Sequence, residues 1–404
     1  RKGSRAGFVM KTVGNHRKKR LCVVTATRAE YGLLKPLISR LLESSLFEVK
    51  VVVTGMHLSP EFGLTYQEIE QDNIPIHKRV EILFSGDTPS AVSKSMGMAF
   101  IGFADYFSEN LFDGVILLGD RYETLAVACT AANQQIPIIH IHGGEVTEGA
   151  VDEGFRHAIT KLSFLHMAST EIYRKRIVQM GEDPERVFCV GALGVENVLH
   201  TRLLPKEDLE RKLDVSLPEK YALVTFHPVT LEKQSAKAQI HELMAAMGEL
   251  SQWSFIVTKA NADQGGRLIN QAIEEYAENH ENVWVYSSLG LRNYLSAMKY
   301  CSLVLGNSSS GILEAPSFHV PTVNIGDRQR GRIRAESVVD CLPCREDIVR
   351  AVKKVISPAF QKIVEEVQNP YGDGNASEKI VRILEKELKG REIELKKKFY
   401  DIPF

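Results

Sequence analysis

Residues 301–311 read CSLVLGNSSSG, and the pattern of this stretch sets the expectation for the whole chain. The apolar run 303–305 is typical of a buried parallel strand. A Gly-Asn turn and three serines follow, and the segment 312–318, ILEAPSF, is typical of a helix. A strand that leads through small hydroxyl residues into a helix presents free backbone N–H groups, which bind phosphate. The same serines could serve only as helix N-caps. We therefore predict a βα unit whose serine loop either binds phosphate or only caps the helix.

Polar and charged residues follow this unit closely; they are Glu314, Asn324, Arg328, Arg330, Arg332 and Arg334. A carboxylate beside a phosphate is unfavourable, but it accepts hydrogen bonds from ribose hydroxyls, so Glu314 is a candidate ribose ligand. The arginines, Arg328 among them, could face a diphosphate. The sequence from 301 to 334 therefore predicts one half of a nucleotide site.

The length and the composition limit the possible classes of protein. A chain of 404 residues exceeds one ordinary hydrophobic core, so we expect two domains. Hydrophobic residues make up 44% and charged residues 25%, as in a globular protein. The net charge of −1 argues against general binding to nucleic acid or to an anionic membrane. No apolar run approaches the roughly eighteen residues that a membrane span needs.

The six cysteines are scattered through the chain, and no signal peptide is visible. We therefore expect reduced thiols and a cytoplasmic location. Cys341 and Cys344 form a lone CxxC without a second pair, which favours a structural role over zinc or redox chemistry. Residues 1–18 are basic and without pattern, as in a leader or tag.

Predicted strands and helices alternate along both halves of the chain. In the first half, we predict strands at 20–25, 47–54, 114–119, 136–141, 164–168 and 187–191, and helices at 33–43, 91–107, 124–134 and 151–162. In the second half, we predict strands at 221–226, 254–259, 282–286, 302–305 and 322–325. This alternation predicts α/β domains with doubly wound parallel sheets. The polar stretch 199–219 suggests the boundary, so we divide the chain into domains 19–200 and 201–376.

The first strand ends in TATRAEYG, residues 25–32, which lacks the GxGxxG pattern of a dinucleotide site. Arg28 instead precedes the first helix, where a guanidinium could bind two phosphate oxygens. A surface salt bridge is the alternative interpretation of Arg28.

Two further strand ends of the first half carry a group of ionisable side chains. Asp120 and Arg121 follow one strand, and His142 and Glu145 follow the next, with Asp152 at the start of a helix. Single carboxylates at such positions are often helix caps or salt-bridge partners. Because ligands of parallel sheets bind at the carboxyl ends of the strands, we interpret these residues together as part of an active site. The spacing fits no metal motif, so acid–base chemistry is the preferred interpretation.

Strand ends of the second half add three candidates. His227 follows the first strand there and could contact a diphosphate. Asn261 follows the next strand and could hold a sugar or close an Asx turn. Ser287 follows a third strand, where main-chain groups could contact a nucleobase. Two facing domains would enclose these residues in a cleft.

A family resemblance rests on eight motifs that occur in order. They are TATRAEYG (25–32), GMHLSPEFG (55–63), GDRYE (119–123), HIHGGEVTEGAVDE (140–153), RHAITKLS (156–163), FHPVT (226–230), GNSSSG (306–311) and NIGDRQRGR (324–332). Together they resemble the hydrolysing UDP-N-acetylglucosamine 2-epimerases of bacterial sialic-acid biosynthesis, over residues 19–404. The resemblance implies a GT-B-like fold, with two Rossmann-like domains and a C-terminal segment, 377–404, that returns to the first domain.

The resemblance also implies a reaction in two steps. A base removes the C2 proton while the bond between C1 and UDP breaks, and water then adds to the 2-acetamidoglucal. The products are N-acetylmannosamine and UDP, and no metal or redox cofactor is required. The implied partners are the UDP-sugar, UDP and a second copy of the chain in a homodimer or larger homo-oligomer.

Residue roles follow from the same resemblance. The candidate catalytic residues are Asp120, His142, Glu145, Asp152 and His227. The candidate substrate and UDP contacts are Arg28, Arg121, Asn261, Ser287, Ser308, Ser309, Glu314 and Arg328. Many relatives carry a glutamate where this chain has His142, so either His142 or Glu145 could be the base that removes the C2 proton.

Three alternative functions remain at this point. One is a 2-epimerase of UDP-2,4-diacetamido-2,4,6-trideoxyglucose, which acts in legionaminic-acid synthesis. A second is a GT-B glycosyltransferase that uses the same cleft with an acceptor. A third is a sensor of sugar nucleotides, which the group of acids facing the phosphate site disfavours.

Overall fold

The structure is a computed structural model that describes residues 17–84, 88–146, 151–228, 233–260, 266–389 and 393–403. Within these ranges the chain forms two separate parallel sheets. The first has seven strands in the order β3-β2-β1-β4-β5-β6-β7, and the second has six in the order β10-β9-β8-β11-β12-β13. The strands of the first sheet are β1 (Lys19–Thr25), β2 (Phe47–Thr54), β3 (Ile76–Val80), β4 (Gly114–Leu118), β5 (Ile138–Ile141), β6 (Leu165–Ala168) and β7 (Val187–Cys189). Those of the second are β8 (Tyr221–Thr225), β9 (Ser254–Thr258), β10 (Val283–Tyr286), β11 (Leu303–Gly306), β12 (Thr322–Ile325) and β13 (Val338–Cys341).

Helices connect the strands on both faces of each sheet. In the first half they are α1 (Arg28–Glu43), α2 (Tyr66–Gln71), α3 (Pro89–Glu109), α4 (Tyr122–Asn133), α5 (Val151–Leu162), α6 (Glu171–Gln179), α7 (Leu193–His200) and α8 (Lys206–Leu213). In the second half they are α9 (Lys233–Glu249), α10 (Gly266–Ala277), α11 (Gly290–Tyr300), α12 (Ser310–Leu313), α13 (Arg345–Val355), α14 (Pro358–Glu366) and α15 (Ala376–Leu388). Among the described residues, no helix is both long and apolar enough to cross a membrane.

The central strands are apolar along their length because helices cover both faces of each sheet. All five residues of β4 and of β8 are buried. Close strand contact also explains Gly306, which has a φ of +137°. A Cβ atom at this position would lie 2.0 Å from the carbonyl oxygen of Thr225. Glycine therefore lets the chain leave β11 beside β8 and turn into the serine loop.

The predicted α/β class, with two Rossmann-like domains, is confirmed by the two sheets. The edge strands β3 and β13 were missed, because three of the five residues of β3 are exposed and β13 has no buried residue, so neither gives a buried apolar run. The polar stretch 199–219 is not simply a linker, because α8 lies within it and buries Leu209 and Leu213.

The C-terminal helix packs against the first half of the chain. Ile380 and Leu384 of α15 are fully buried in the same apolar cluster as Leu34 and Leu41 of α1. Residues 393–403 also contact the first domain, where the Tyr400 N–H donates to the Gly181 carbonyl at 3.0 Å. The C-terminal segment thus contacts the first sheet's helices after the second sheet has been completed.

Candidate functional site

A cleft of about 940 Å³ lies between the carboxyl ends of the two sheets. The first domain contributes Arg28, Tyr31, Lys35, Glu68, Asn197 and His200, among others, and the second contributes Thr225, His227, Thr258, Lys259, Ser287, Tyr294, Ser308 and Ser310. Such a cleft is the expected ligand site of two facing parallel sheets. Four of the predicted contact residues, Arg28, His227, Ser287 and Ser308, therefore line one cavity.

Asn307 fixes the position of His227 at the wall of this cleft. The His227 N–H donates to Asn307 Oδ1 at 2.7 Å, and Asn307 Nδ2 donates to the His227 carbonyl at 2.8 Å. Burial, and then the charge of Arg328, lowers the pKa of His227 to about 4, so the imidazole is neutral near pH 7. Its buried Nδ1 has no hydrogen-bond partner among the described residues. This nitrogen therefore has an unused capacity for a hydrogen bond beside the cleft.

Arg328 is attached to the same loop. Its Nη1 donates to the Asn307 carbonyl at 3.2 Å, and Gln329 Nε2 donates to that carbonyl at 3.0 Å. The arginine consequently lies beside His227, as its effect on the histidine pKa also shows. The structure places both candidate diphosphate contacts at one strand end.

The serine loop differs in detail from the prediction. Ser308 and Ser310 line the cleft, whereas Ser309 is not among its lining residues and closes the short α12 turn through its carbonyl. The Ser308 hydroxyl accepts from the Ser310 N–H at 3.3 Å. Ser308 and Ser310, rather than Ser308 and Ser309, are the side chains that a ligand in the cleft would meet.

Glu314 lies behind this loop at the end of α12. Burial raises the pKa of its carboxyl group, and its Oε2 is buried without a hydrogen-bond partner in the described part of the chain. It does not line the cleft itself. A buried acceptor without a partner is costly, so Glu314 is suited to bind a hydroxyl donor.

The remaining predicted contacts are less uniform. Arg28 is the first residue of α1, and its exposed guanidinium forms an ion pair with Glu68, with Nε 3.0 Å from Oε1. The salt bridge considered as the alternative is thus present, although both residues line the cleft. Ser287 is exposed on the cleft wall. Asn261 lies outside the described residues.

A second group of ionisable residues occupies the carboxyl ends of β4 and β5. Asp120 follows Gly119, which has a φ of +80°, and forms an ion pair with Arg156 of α5. Arg156 is only 2% exposed. It also donates to Glu153 Oε2 and to the Glu145 carbonyl, both at 2.8 Å. Arg156 therefore holds the turn of Asp120 and the loop of Glu145 together.

His142 and Glu145 face each other within this group, with 4.0 Å between Nδ1 and Oε1. His142 has a φ of +65°, an uncommon conformation that turns the chain sharply after β5. Its Nε2 accepts the Leu193 N–H at 3.3 Å. Burial lowers the pKa of His142, against the opposing effect of Glu145, so the ring is neutral near pH 7.

Glu145 takes part in one of the contacts between the two domains. Its Oε1 accepts the Ser169 hydroxyl at 2.8 Å, and its Oε2 lies 3.8 Å from Arg332 Nη1 of the second domain. Glu145 therefore contacts the second domain. Asp120, His142, Glu145 and Asp152 are not among the residues that line the cleft.

Asp152 and Arg121 lie at the edge of the acidic group. Asp152 is the second residue of α5, and desolvation followed by the charge of Asp120 raises its pKa, although much of the residue faces solvent. Arg121 forms two contacts with the buried carboxylate of Glu123, at 3.1 and 3.2 Å. That partner holds the guanidinium in place at the start of α4.

Three residues of this site were not assigned by the sequence analysis: Arg156, Ser169 and, as a partner of Glu145, Arg332. The motif RHAITKLS included Arg156, but one arginine on a helix gives no indication of its acidic partner. Ser169 has no distinguishing pattern. Arg332 was expected near a diphosphate, and the structure instead places it against Glu145.

No group of three or more His, Cys, Asp or Glu residues that could hold a metal ion occurs among the described residues. All six cysteines are free, and Cys341 and Cys344 lie in β13 and just before α13.

Residues 39–385 match the protein family described as UDP-N-acetylglucosamine 2-epimerase. The chain is 42% identical to the GDP/UDP-N,N'-diacetylbacillosamine 2-epimerase (hydrolyzing) of Campylobacter jejuni, over 85% of this chain and 89% of the relative. It is 41% identical to the polysialic acid biosynthesis protein P7 of Escherichia coli, over 95% and 98%. Among solved structures, UDP-GlcNAc 2-epimerase from Neisseria meningitidis bound to UDP-GlcNAc has a TM-score of 0.77 at 21% identity, over 91% of this chain and 100% of that one.

Proposed function

Because this chain belongs to the UDP-N-acetylglucosamine 2-epimerase family, we propose that it is a hydrolysing 2-epimerase of a UDP-linked 2-acetamido sugar. In the first step, C2 loses its proton and the C1–O bond breaks, so UDP leaves with the bonding electrons and a glycal forms. In the second step, water supplies the hydroxyl at C1 and a proton reaches C2 from the opposite face. The products are UDP and the free 2-epimer.

The relation between Glu145 and Arg332 carries this proposal. It directs the acidic group of the first domain at the second domain, whose own strand ends hold His227, Ser308 and Ser310 at the cleft. A nucleoside diphosphate sugar has two chemically different ends, an anionic diphosphate and a neutral pyranose, which match these two groups of residues. The second domain would bind the diphosphate, and the acidic group would contact the pyranose.

The second domain's residues would stabilise the leaving diphosphate. Among the described residues, His227 Nδ1 has no hydrogen-bond partner; its ring is neutral, and Arg328 supplies a positive charge beside it. Ser308 and Ser310 add hydroxyl groups on the same wall. Positioned donors and charges stabilise the negative charge that develops as the C1–O bond breaks.

Glu145 is the better candidate for the base at C2. His142 already uses its Nε2 to accept from Leu193, so in the neutral ring the proton lies on Nδ1, which faces Glu145. In that state the ring has no free basic nitrogen. Glu145 has its second oxygen, Oε2, directed at the gap between the domains. His142 would then orient Glu145 rather than remove the proton.

Asp120 and Asp152 are candidates for the remaining proton transfers. Asp120 is held in one orientation by Arg156, and a base must be fixed within hydrogen-bond reach of the proton that it moves. The raised pKa of Asp152 lets it retain a proton closer to neutral pH than an ordinary aspartate, so it is suited to protonate C2 of the glycal.

UDP-N-acetylglucosamine is the first candidate substrate, in agreement with the sialic-acid process named for the Escherichia coli relative. The second candidate is UDP-N,N'-diacetylbacillosamine, which is UDP-2,4-diacetamido-2,4,6-trideoxyglucose. It is favoured by the name of the Campylobacter relative, whose identity to this chain is nearly the same. The two sugars differ at C4 and C6, away from the reacting atoms.

Incubation with each UDP-sugar in deuterated water tests the proposal. We expect UDP and a free hexosamine with deuterium at C2 from one donor, as measured by NMR. The variant Asp120→Asn should release both products far more slowly than wild type. Release of the hexosamine with the original C2 hydrogen would instead indicate simple hydrolysis. Turnover only with an added sugar acceptor would indicate a glycosyltransferase, and either result contradicts the proposal.

A further inference from the structure

We infer that His140 is a positioning residue that holds Asp120 in its working orientation through the carbonyl of Gly119. This inference rests on the proposed function, because it assigns Asp120 to the reaction. His140 lies in β5, is fully buried and does not line the cleft. Any effect of His140 on Asp120 is therefore exerted from the interior of the first domain and not from the cleft.

Residues of β5 hold both backbone polar groups of Gly119, its N–H and its carbonyl. Its N–H donates to the Ile141 carbonyl at 3.0 Å, and its carbonyl oxygen lies 2.8 Å from His140 Nε2. Gly119 has a φ of +80°, so it is the point at which the chain turns out of β4 into Asp120. Because Gly119 directly precedes Asp120, fixing the backbone of Gly119 restricts the direction in which the Asp120 side chain leaves the backbone.

The hydrogen bonds determine the tautomer of His140. A carbonyl oxygen can only accept, so Nε2 carries the proton. His140 Nδ1 must then accept from the Thr160 hydroxyl, which lies 3.1 Å away. Burial lowers the pKa of His140 to about 3, so the neutral ring persists near pH 7. A Cβ atom at Gly143 would lie 3.0 Å from His140 Nδ1, so the chain packs closely over the ring.

Thr160 connects this arrangement to the partner of Asp120. Thr160 and Arg156 are four residues apart on α5, and therefore lie on the same face of the helix. Arg156 binds the Asp120 carboxylate, while Thr160 acts through His140 on the carbonyl one residue earlier. Helix α5 is thus linked to this turn at two points. Two points of attachment define an orientation, whereas one alone permits rotation.

Glutamine and asparagine distinguish the two ring nitrogens of His140. The amide nitrogen of glutamine reaches the place of Nε2, whereas that of asparagine reaches only the place of Nδ1. We expect His140→Asn to lower kcat by about 10- to 100-fold, a substantial part of the usual contribution of an acid–base group. His140→Gln should retain kcat within about threefold of wild type. UDP affinity, measured by calorimetry, should be unchanged in both variants, because neither His140 nor Asp120 lines the cleft.

Thr160 provides an independent pair of variants. Thr160→Ser keeps the hydroxyl that donates to Nδ1 and should retain kcat, whereas Thr160→Val removes it and should lower kcat without weakening UDP binding. This pair decides the question if His140→Asn fails to fold. Equal kcat in Thr160→Val and Thr160→Ser, or equal kcat in His140→Asn and His140→Gln, would overturn the positioning role.

The tautomer gives a readout that does not depend on activity. In protein labelled with ¹⁵N-histidine, the signals absent from His140→Gln identify His140. We expect a protonated Nε2 and an unprotonated Nδ1 between pH 6 and 8, and a protonated Nδ1 would overturn the inference. A wild-type protein that shows the expected tautomer but turns over no UDP-sugar would refute the proposed function and leave the geometry of His140 intact.

Discussion

Glu145 of the first domain and Arg332 of the second domain face each other across the gap between the domains, with 3.8 Å between Oε2 and Nη1. Both side chains are less than one-fifth exposed. Glu145 also accepts from Ser169 behind it, so the carboxylate is held on its own domain while it meets the cation of the other. The position of the candidate base therefore depends on how the two domains sit together.

We expect Arg332→Met to lower kcat/KM by about 10- to 100-fold, because close charge pairs across an interface have coupling energies of about 1.5 kcal/mol or more. The double variant Arg332→Met/Glu145→Gln should lose little more kcat/KM than Glu145→Gln alone, since the two substitutions remove the same interaction. Arg350→Met is the control, because Arg350 is exposed and pairs with Asp347 on α13. Steady-state kinetics measure all four proteins, and fully additive losses would contradict the coupling.

Asp120→Asn is expected to reduce kcat by about 10²- to 10⁴-fold, the usual contribution of an acid or base in position. UDP affinity should stay within a few-fold of wild type, since Asp120 does not line the cleft that holds the diphosphate candidates. Kinetics and calorimetry measure the two quantities separately. The matched control is Asp105→Asn on the exposed side of α3. Wild-type turnover by Asp120→Asn would remove Asp120 from the mechanism.

Ser308→Ala should raise the KM for the UDP-sugar by about 10- to 100-fold, because a hydrogen bond to a charged phosphate contributes about 1.5–3 kcal/mol. The resemblance implies a phosphate contact for Ser309 as well, but Ser308 lines the cleft and Ser309 does not. Ser309→Ala is therefore the matched control and should change KM by less than about threefold. The reverse order of the two effects would show that the ligand approaches the loop from its other side.

The histidine His57 should make stability depend on pH. It is fully buried between Thr25 and Thr65, and burial lowers its pKa to about 4. The folded protein keeps the ring neutral, while the unfolded chain protonates it below a pH of about 6.5. The unfolded state thus binds more protons, and this contribution to the unfolding free energy is lost as the pH falls from about 6.5 to 4.

The carboxyl group of Glu30 affects the pH dependence of stability in the opposite direction, because burial raises its pKa to about 7. The variant His57→Gln separates the histidine contribution from it. We expect the difference in unfolding free energy between wild type and His57→Gln to shrink by roughly 2–3 kcal/mol between pH 7 and 4.5. Urea denaturation measures it, with the exposed His241→Gln as control. A difference that stays constant or widens would show that His57 is not neutral in the fold.

Lys397 should contribute to stability through the C-terminal segment. Its Nζ lies 2.6 Å from Glu182 Oε2 and donates to the carbonyls of Lys161 and Ser163 at 2.8 Å. Glu182 is almost fully buried, and its contacts with His166, Lys161 and Lys397 overcome burial and lower its pKa to about 2. Removal of one partner leaves a buried carboxylate less well compensated.

We therefore expect Lys397→Met to reduce the unfolding free energy by about 1–3 kcal/mol, less than the full cost of breaking a buried pair, because two partners of Glu182 remain. Lys398→Met is the control, since Lys398 is exposed. Thermal unfolding compares the two variants at pH 7. Equal melting temperatures for Lys397→Met and Lys398→Met would mean that the C-terminal segment contributes no stability through this contact.

The sequence alone determined the fold class and the side of the sheets on which the site lies. The apolar runs of β4, β8 and β11 are local signals, and parallel strands place their carboxyl ends at one edge, so Asp120, His142 and Glu145 could be brought together without coordinates. The edge strands β3 and β13 were not predictable in this way, because a strand that is not buried along its length has no continuous apolar run.

Only the tertiary structure decided which charges are partners. Arg156 pairs with Asp120 thirty-six residues away, and Arg332 meets Glu145 from the other domain. Likewise, Ser308 and Ser310, and not Ser309, reach the cleft, because the tight α12 turn directs them there. A charged or hydroxyl side chain has no periodic signature of its partner, since the contact is produced by the packing of distant elements. Hydrophobic pattern is encoded locally, whereas the pairing of polar groups depends on the completed fold.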